Sequence, residues 1–421
     1  MLINFSIQNF GSIKEKQTLS FEADKSKHLE DYYLINANGL RLLKLGLIYG
    51  ANASGKTTIL KALDFLRTLV LSPKIQKTET FDFEPFLFDE NTPKENTVFE
   101  IDFIQNNVRY FYEVELNKET IVREELYSYN LKKFNVFKRT TNLQSKFTNI
   151  KFSSHIKISK SAEETLENNT LWNNTVLGGF LKTNVNIEEL KNVMDWFKFS
   201  VFPLVSTTEF YSYHLEHFIS FSVDKVENQK NFILNILKEA DFNIYDMIIK
   251  KEETTKEINT EYDKYAFQIN INHKIKDKNY MLPLSQESQG TQRYYILAGI
   301  LSFLLQTPCI ILIDELESSL HPDLFVHFLL SFLTNSKQSQ LIATTHNREI
   351  LNNKDIFRND AIWITDKNND SCATDLYSLA DFDTKVIRDT TNILNAYKLG
   401  KLGGVPNLGD YYIDIESDEK K

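Results

Sequence analysis

The chain has 421 residues, of which 42% are apolar and 13% aromatic, so it can bury a large core and is not intrinsically disordered. Its formal net charge of −9 argues against a globally basic nucleic-acid coat, although a local basic patch is compatible with that average. Cys309 and Cys372 lack the spacing of a disulfide framework or a zinc site, which predicts a reducing, cytoplasmic location.

The N-terminal part predicts a hairpin, a strand and a helix. Residues 1 to about 24 alternate as in two short strands and carry no export-signal pattern. The run "LLKLGLIYG" predicts a buried strand, and "KTTILKALDFLRTLVL" predicts a helix with one apolar face. Strand and helix therefore flank the loop "GANASGKTT" at residues 50–58.

The middle of the chain predicts a β-meander and then a helical insertion. From about residue 97 to 160 apolar residues alternate, with a tight turn expected at Asn106-Asn107. Residues 161–257 carry helical patterns, among them "NFILNILKEADFNIYDMIIKK". No heptad run is long enough for a coiled-coil arm.

The C-terminal part predicts strands with polar residues at their ends. "KYAFQINI" and "KNYMLPL" precede a polar loop, "SQESQG", which begins a long apolar helix. Three strand-type runs follow, "CIILIDELESSLHP", "SQLIATTHN" and "DAIWITDK". The apolar residues 294–313 are divided by Gln306-Thr307-Pro308, so neither half is long enough to span a membrane.

The loop at residues 50–58 has the pattern of a phosphate site. Gly50, Gly55, Lys56 and Thr57 match G-x-x-x-x-G-K-[ST] between a strand and a helix. Such a loop turns its backbone N–H groups toward a phosphate at a helix N-terminus, while the lysine reaches the β- and γ-phosphates and the Thr57 hydroxyl binds Mg²⁺. The residues predicted to bind nucleotide here are Gly50, Asn52, Ala53, Ser54, Gly55, Lys56, Thr57 and Thr58. The alternative is an ordinary glycine turn.

Carboxylates and a histidine follow two of the later strands. Asp314 is expected to hold the Mg²⁺ water shell and Glu315 to orient the attacking water. His346 could hydrogen-bond the γ-phosphate or its water, although a histidine at a strand end is more often structural. The ends of parallel strands share one sheet edge, so these side chains are predicted to meet the phosphate loop.

These motifs, in this order, resemble the ABC-type ATPases of the SMC, Rad50 and RecF kind, and more closely the OLD-like and abortive-infection (AbiLi/RloA-like) ATPases. The resemblance extends from "INFSIQNFGSIKE" to the late "KLGGVP". It implies an α/β P-loop fold of ABC type, with a mixed central sheet, a β-meander lobe, a helical insertion and no long coiled coil. The implied division is an N-terminal ATPase lobe (1–160), the insertion (161–257) and a C-terminal ATPase lobe (258–421).

The same resemblance assigns roles to residues outside the phosphate loop. Ser288 and Gly290 match the signature motif, which in the family closes over the nucleotide of a second protomer and so implies a head-to-tail homodimer with ATP and Mg²⁺ at the interface. Glu315 becomes the catalytic base and His346 the switch residue, while residues 318–322 form the loop that crosses the dimer interface.

The chain departs from the family in several places. Position 289 is Gln where many relatives have glycine, and the Mg²⁺-sensing glutamine cannot be assigned, since Gln105 is next to a predicted hairpin turn. OLD-family nucleases add a TOPRIM domain, for which too few residues follow His346. Asp381-Phe382-Asp383 forms a D-x-D string without the usual preceding strand, so a solvated loop is favoured over a nuclease site.

A basic segment lies in the predicted meander. No Asp or Glu occurs between Leu126 and Ala162, where lysines and Arg139 alternate with phenylalanines. One interpretation is a DNA- or RNA-binding surface through residues 132–160. The other, which we favour, is a meander with phenylalanines inward and solvated lysines outward.

The sequence therefore predicts a cytoplasmic Mg²⁺-dependent ATPase that dimerises on nucleotide and switches a separate effector, such as a TOPRIM-type or other nuclease, in antiviral defence. One alternative is a RecF-like DNA-repair or DNA-structure sensor that clamps nucleic acid. Another is a nuclease that cleaves through Asp381 and Asp383.

Overall fold

The structure is a computed structural model, and it describes residues 1–130, 132–206, 226–240, 243–253, 265–382 and 392–406. The strands are β1 (Leu2–Gln8), β2 (Gln17–Ser20), β3 (Leu34–Ala37), β4 (Leu40–Leu43), β5 (Leu45–Gly50), β6 (Thr97–Gln105), β7 (Val108–Leu116), β8 (Ile121–Asn130), β9 (Lys132–Asn142), β10 (Phe147–Phe152), β11 (Asp246–Glu253), β12 (Tyr265–Ile275), β13 (Lys278–Pro283), β14 (Ile310–Ile313), β15 (Gln340–Thr344), β16 (Ile362–Lys367) and β17 (Thr374–Ser378). The α-helices are α1 (Glu30–Tyr33), α2 (Lys56–Leu71), α3 (Lys160–Asn169), α4 (Val176–Phe180), α5 (Glu188–Asp195), α6 (Val226–Glu239), α7 (Gln289–Gln306), α8 (Pro322–Asn335) and α9 (Ile393–Lys398).

A five-stranded mixed sheet carries the predicted motifs. Its order is β14-β15-β5-β16-β17, and all neighbours are parallel except β16 and β17. Every residue of β5 is buried, as expected for a parallel strand covered on both faces. Val201 and Val205 form parallel bridges to Ile310 and Ile313, which adds a short strand segment beside β14. The carboxyl ends of these strands therefore share one edge of the sheet.

The predicted β-meander is a second sheet. Seven antiparallel strands follow the order β10-β9-β8-β7-β6-β1-β2. Asn106 and Asn107 both have positive φ, 49° and 61°, as the two central residues of a type I′ hairpin turn require. Buried and half-buried residues alternate along β7, so one face of the sheet is covered and the other faces outward.

Helix α2 lies between the two sheets. It contacts β5 and β15 of the mixed sheet and β1 of the meander. Its predicted apolar face is confirmed, since Ile59, Leu60, Leu63, Leu66, Leu69 and Val70 are all buried. Burying both sides of this helix joins the two sheets into a single core, which holds the N-terminus of α2 at the carboxyl edge of the mixed sheet.

The insertion differs in part from the helical segment that the sequence predicts. Helices α3 to α6 lie within it, but residues 246–253 form strand β11 and not the end of a helix. Asn243 has a positive φ of 46°, which is incompatible with a continuing helix. Met247 is buried and Ile248 is exposed, an alternation that suits a strand of the β11-β12-β13 sheet.

The predicted α/β fold is confirmed. Helix α7 begins at Gln289 and ends before Thr307, and β14 then begins at Ile310, so the apolar run 294–313 is a buried helix followed by a buried strand. Within the described ranges, no helix combines the length and the apolar character needed to cross a bilayer.

Candidate functional site

The loop at residues 50–58 connects β5 to α2 and is tightly packed from behind. Gly55 precedes the helix with a φ of 101°, and a Cβ there would lie 2.2 Å from the Thr374 hydroxyl oxygen. Only glycine fits such a position without strain. Ser54 is buried, and its hydroxyl hydrogen-bonds that of Thr365 at 2.6 Å, so this side chain braces the loop. Asn52 and Ala53 at the tip are exposed.

The late glycine pair also packs against this loop. Gly404 has a φ of 65°, and a Cβ there would lie 2.7 Å from Cγ2 of Ile364 and 3.4 Å from Cα of Gly50. The Tyr397 hydroxyl donates a hydrogen bond of 2.8 Å to the Gly404 carbonyl. The string "KLGGVP" therefore helps to support the phosphate loop from the side of β16.

Lys56 is buried at the first position of α2. Its ammonium donates hydrogen bonds of 3.0 Å to the carbonyls of Gly50 and Ala51. Burial lowers the pKa of this lysine, and the nearby carboxylates Asp314, Glu317 and Glu315 partly oppose that shift. The cation is thus held inside the curl of the loop by neutral oxygens, which a phosphate could replace.

Thr57 and Asp314 meet at the sheet edge. The Thr57 hydroxyl lies 3.1 Å and 3.0 Å from the two carboxylate oxygens of Asp314. The Thr344 hydroxyl donates a 2.5 Å hydrogen bond to the same carboxylate and accepts one of 2.8 Å from the backbone N–H of Glu315. The predicted pair of metal ligands is therefore brought together, and Thr344 fixes its position.

Glu315 and His346 flank that pair. Glu315 is exposed, and its φ of 49° is unusual for a residue other than glycine, a geometry that persists mostly at functional sites. The backbone N–H of His346 donates to the carboxylate of Glu317. Burial, and then the charge of Lys56, lower the pKa of His346, which favours the neutral ring. Both predicted catalytic residues thus lie at this edge.

Ser288 and Gly290 lie elsewhere. Ser288 is exposed and caps α7, where its hydroxyl accepts a 3.1 Å hydrogen bond from the N–H of Thr291. A Cβ on Gly290 would lie 3.2 Å from the carbonyl oxygen of Ser319, so the start of α7 lies against the 318–322 loop. Among the described residues, no hydrogen bond joins Ser288 or Gly290 to the phosphate loop.

Several residues of the site escaped the sequence prediction. Thr344 and Glu317 lie within quoted motifs, but nothing in their spacing distinguishes them from neighbouring polar residues. The Arg293 guanidinium donates to the Glu315 carbonyl at 3.3 Å and so links α7 to the carboxylate loop. The strand segment 201–205 also ends here, because the N–H of Asp314 donates to the Val205 carbonyl.

Gln105, which sequence analysis left unassigned, lies in the meander. Gln105 ends β6 beside the Asn106-Asn107 turn of the meander, as the sequence indicates. The short strand segment beside β14 ends at Val205, whose carbonyl accepts a hydrogen bond from the N–H of Asp314. The sequence of this segment, "VFPLV", is too short and too broken by proline to stand out as a strand.

The oxygen ligands Thr57 and Asp314 suit magnesium as it is bound in nucleotide sites. Magnesium in nucleotide sites takes one or two protein oxygens and completes its shell with phosphate oxygens and water. Thr57 and Asp314 supply such a set. In the part of the chain that the structure describes, no group of three or more His, Cys, Asp or Glu side chains could hold a metal ion alone. A magnesium ion that arrives with phosphates therefore suits these residues.

The basic segment 132–160 is less of a basic surface than its sequence suggests. Arg139 is fully buried and lies 3.8 Å from the buried carboxylate of Glu124, so it cannot contact a nucleic acid. Lys138 and Lys146 form salt bridges with Glu125 and Glu119. The acidic partners lie in and beside β8, which pairs with β9, and a one-dimensional charge pattern does not show such cross-strand pairing.

The phenylalanines of this segment are only partly inward, as Phe137 and Phe147 show. Phe137 is buried, as predicted, but Phe147 is 58% exposed.

The first aspartate of the D-x-D string has a structural role. Asp381 accepts a 2.8 Å hydrogen bond from the N–H of Ser378 in a helix-capping box. Asp383 lies outside the described residues.

A cavity of about 600 Å³ opens next to the loop. Gly11, Thr58 and Lys61 line its end nearest the phosphate loop, and Phe65 and Phe83 line it farther along α2. This cavity extends from Thr58 along α2 and is not lined by Lys56, Thr57 or Asp314. The phosphate loop, the metal-binding pair and the exposed carboxylate of Glu315 make the sheet edge a candidate nucleotide site.

Comparisons with known proteins concern the family and the fold of the chain. Residues 47–352 match the family described as "AAA domain, putative AbiEii toxin, Type IV TA system". No curated protein sequence matches the chain. Among solved structures, the SMC head domain from Thermotoga maritima is 14% identical with a TM-score of 0.41, over 90% of this chain and 98% of that chain.

Two further SMC heads are similar. An SmcHead bound to the C-winged helix domain of ScpA is 12% identical with a TM-score of 0.45, over 90% of this chain and 97% of that one. An Smc head with an extended coiled coil, bound to the C-terminal domain of ScpA derived from Pyrococcus furiosus, is 14% identical with a TM-score of 0.43, over 95% and 98%. Since the family match extends from β5 through the Walker-type carboxylates to His346 and covers more than half of the chain, this protein belongs to that AAA family of P-loop ATPases.

Proposed function

We propose that the protein is a cytoplasmic Mg²⁺-dependent ATPase that closes into a head-to-tail homodimer around ATP and thereby switches a separate effector in antiviral, abortive-infection defence. The observation that carries this proposal is the contact between the Thr57 hydroxyl and the Asp314 carboxylate beside the buried Lys56. A hydroxyl, a carboxylate and a lysine in this arrangement bind a metal-bound triphosphate.

The chemistry follows from the residues at the sheet edge. Lys56 exchanges its contacts with the loop carbonyls for β- and γ-phosphate oxygens, and the N–H groups of the loop cradle the β-phosphate. Bound magnesium supplies charge neutralisation at the γ-phosphate. Glu315 extends from an exposed turn and accepts a proton from the attacking water, while neutral His346 donates or accepts a hydrogen bond at the γ-phosphate.

The dimer gives Ser288 a nucleotide to close over, since among the described residues no hydrogen bond joins it to the phosphate loop of its own chain. The N-terminus of α7 is exposed and carries positive dipole and free N–H groups, which suit the γ-phosphate held by a second copy. Arg293 joins the first turn of α7 to the Glu315 carbonyl. Closure of α7 over the nucleotide of the second copy is thereby linked to Glu315, the carboxylate that activates water at the nucleotide of its own chain.

The effector and the defence role rest on resemblance. The family description refers to an AbiEii toxin and a type IV toxin–antitoxin system. The motif order is similar to that of OLD-like and AbiLi/RloA-like ATPases, some of which work with a nuclease. The separate effector is therefore a TOPRIM-type or other nuclease, and the ATP cycle of this protein controls its activity.

The test uses light scattering after size exclusion, with and without ATP, together with ATP turnover. Glu315→Gln should bind ATP, hydrolyse it at least about 100-fold more slowly and accumulate as a dimer. Adding Ser288→Arg should return that variant to a monomer that still binds ATP.

Matched variants separate these effects from loss of structure. Ser159 caps α3 in the same way that Ser288 caps α7, so Ser159→Arg should leave the dimer intact. The exposed Glu164 provides a control for the glutamate substitution. Hydrolysis by Glu315→Gln at the normal rate, or a trapped dimer that tolerates Ser288→Arg, would refute the proposal.

A further inference from the structure

The outward face of the meander carries a cluster of aromatic and basic side chains. Phe111 on β7 lies directly opposite Tyr127 on β8, with ring centroids 6.2 Å apart. Tyr129 lies two residues farther along β8, opposite Arg109 on one side and Lys133 on the other. We call these five residues the aromatic platform.

Two cations lie on the rings of the platform. The Lys133 ammonium lies 4.5 Å from the ring centre of Tyr127, 5.5 Å from that of Tyr129 and 5.9 Å from that of Phe111. The Arg109 guanidinium carbon lies 5.0 Å from the ring centre of Tyr129. The platform thus combines ring faces directed to one point with positive charge at that point.

Arg109 is paired with the buried Asp102 carboxylate, which also attracts Lys133, so Lys133 is the platform cation without a salt bridge of its own among the described residues. Lys138 and Arg139 follow on the same strand and pair with Glu125 and Glu124. No carboxylate of the described ranges forms a salt bridge with Lys133. Lys132 precedes it and is also exposed. Beyond the Arg109–Asp102 ion pair, the platform therefore presents the positive charges of Lys133 and its neighbour Lys132, whereas the chain as a whole has a formal charge of −9.

The end of the same sheet face around Arg123 carries ion pairs without aromatic rings. There Arg123 pairs with Glu113, Glu115 and Glu125, so its charges are balanced and no aromatic ring is added. A solvated sheet face needs only such ion pairs. Three half-buried rings at the opposite end have no corresponding structural need, because the sheet packs its core through the other face.

We propose that the aromatic platform binds single-stranded nucleic acid. Bases stack on Tyr127 and Phe111, and on the ring of Tyr129 beside the Arg109–Asp102 ion pair, while Lys133 moves from the rings to a backbone phosphate. Adjacent antiparallel strands space aromatic rings so that successive unpaired bases can stack, and stacking is tolerant of sequence. Paired bases cannot offer their faces, so the platform discriminates against duplexes. This site shares Lys133 with the segment 132–160 considered from sequence, but its rings lie on β7 and β8.

The experiment measures fluorescence anisotropy of the full chain with a labelled oligothymidylate of about 12 nucleotides, and with a duplex of the same length. The single strand should bind more tightly than the duplex. The double substitution Tyr127→Leu and Tyr129→Leu should weaken its binding at least roughly tenfold. Phe147→Leu, at another exposed ring of the same sheet, should not.

Two further readouts keep the test decisive. Unchanged ATP turnover in the double variant shows that the fold is intact. Lys133→Gln, which removes no ring, should make the salt dependence of binding shallower by roughly 0.7 in log–log slope, as expected for one lost phosphate contact. The proposal fails if the single strand does not bind at low salt, if the duplex binds equally well, or if the tyrosine and Lys133 variants bind like the unmodified protein.

Discussion

Lys56 and Arg139 are both buried cations, but their surroundings differ in kind. Lys56 lies at the open carboxyl edge of the mixed sheet, and its ammonium contacts backbone carbonyls of its own loop. Arg139 is enclosed in the meander, 3.8 Å from the Glu124 carboxylate, and it also contacts Thr148 and the Trp172 carbonyl. Burial lowers the pKa of both, that of Arg139 to about 10. The comparison shows that burial alone does not identify a functional charge.

The distinguishing feature is whether the partners can be exchanged. The carbonyls around Lys56 are weak, neutral acceptors that a phosphate can replace, whereas Glu124 is enclosed with Arg139 and is its counter-ion when ionised. Glu124 also accepts hydrogen bonds from Tyr112 and from the N–H of Val176, so the pair joins the meander to α4. Lys56 is therefore expected to contribute to binding and Arg139 to folding.

Arg139→Met should give the largest change. It leaves the Glu124 carboxylate buried without its cation, so the free energy of unfolding should fall by about 3–5 kcal/mol. Urea unfolding at neutral pH measures the change. The exposed neighbour Lys138→Met should cost less than about 1 kcal/mol. Equal effects of the two substitutions would contradict a structural role for the buried pair.

Lys56→Met should weaken ATP binding without lowering the stability of the fold. ATP affinity should fall by about 2–5 kcal/mol, roughly 30- to several-thousand-fold, because the phosphate loses its charged donor. The free energy of unfolding without nucleotide should stay the same or rise, since a desolvated charge is removed. Lys160→Met, at the first position of α3, is the matched control and should leave both quantities unchanged. A loss of stability as large as that of Arg139→Met would contradict the assignment of Lys56 to binding and Arg139 to folding.

Sequence analysis predicts the first of these two charges well and the second poorly. The phosphate loop is a local pattern whose spacing carries its own chemistry, so the nucleotide-binding roles proposed for Gly50 to Thr58 could be predicted from the order of residues alone. Arg139 belongs to a pattern that is local in sequence, but its partner Glu124 is on the neighbouring strand. Cross-strand register decides whether a lysine or arginine is solvated or buried, and a linear charge count does not contain it.

The pH dependence of stability should sharpen the comparison further. Burial raises the pKa of Glu124 from 4.5 to about 7, although Arg139 opposes the shift. The folded state therefore binds this proton more tightly than the unfolded state, so the stabilisation is complete below about pH 4.5 and is lost as the pH rises through about 7. The contribution should approach about 1 kcal/mol per pH unit within that window.

Glu124→Gln should remove this slope. The variant is expected to be less stable above about pH 7, where Glu124 is ionised and is the counter-ion of Arg139, and its free energy of unfolding should vary less between pH 4.5 and 7 than that of the unmodified protein. Urea unfolding at several pH values provides the comparison. An unaltered slope would assign the pH dependence to other groups.

The same limit of sequence analysis applies within the nucleotide site. Asp314, Glu315 and His346 could be proposed because they end apolar runs, and their meeting follows from parallel strands. Thr344 could not, because its role depends on the distance between β14 and β15, and the short strand at 201–205 is hidden by its proline. Positions that act through a neighbour carry no sequence pattern of their own.

Thr344→Val tests such a position with the smallest expected effect. Valine keeps the shape but removes the hydroxyl that donates to Asp314 and accepts from the N–H of Glu315. ATP turnover should fall roughly 5- to 30-fold, which corresponds to an activation free energy higher by about 1–2 kcal/mol, and ATP affinity should be nearly unchanged. Thr141→Val is the matched control, because that buried strand hydroxyl has no hydrogen-bond partner among the described residues and its loss should leave turnover unaltered. Since Thr344 is expected to act through Asp314 and Glu315, an equal loss in affinity and turnover would mean that it supports the loop as a whole and does not position the carboxylates.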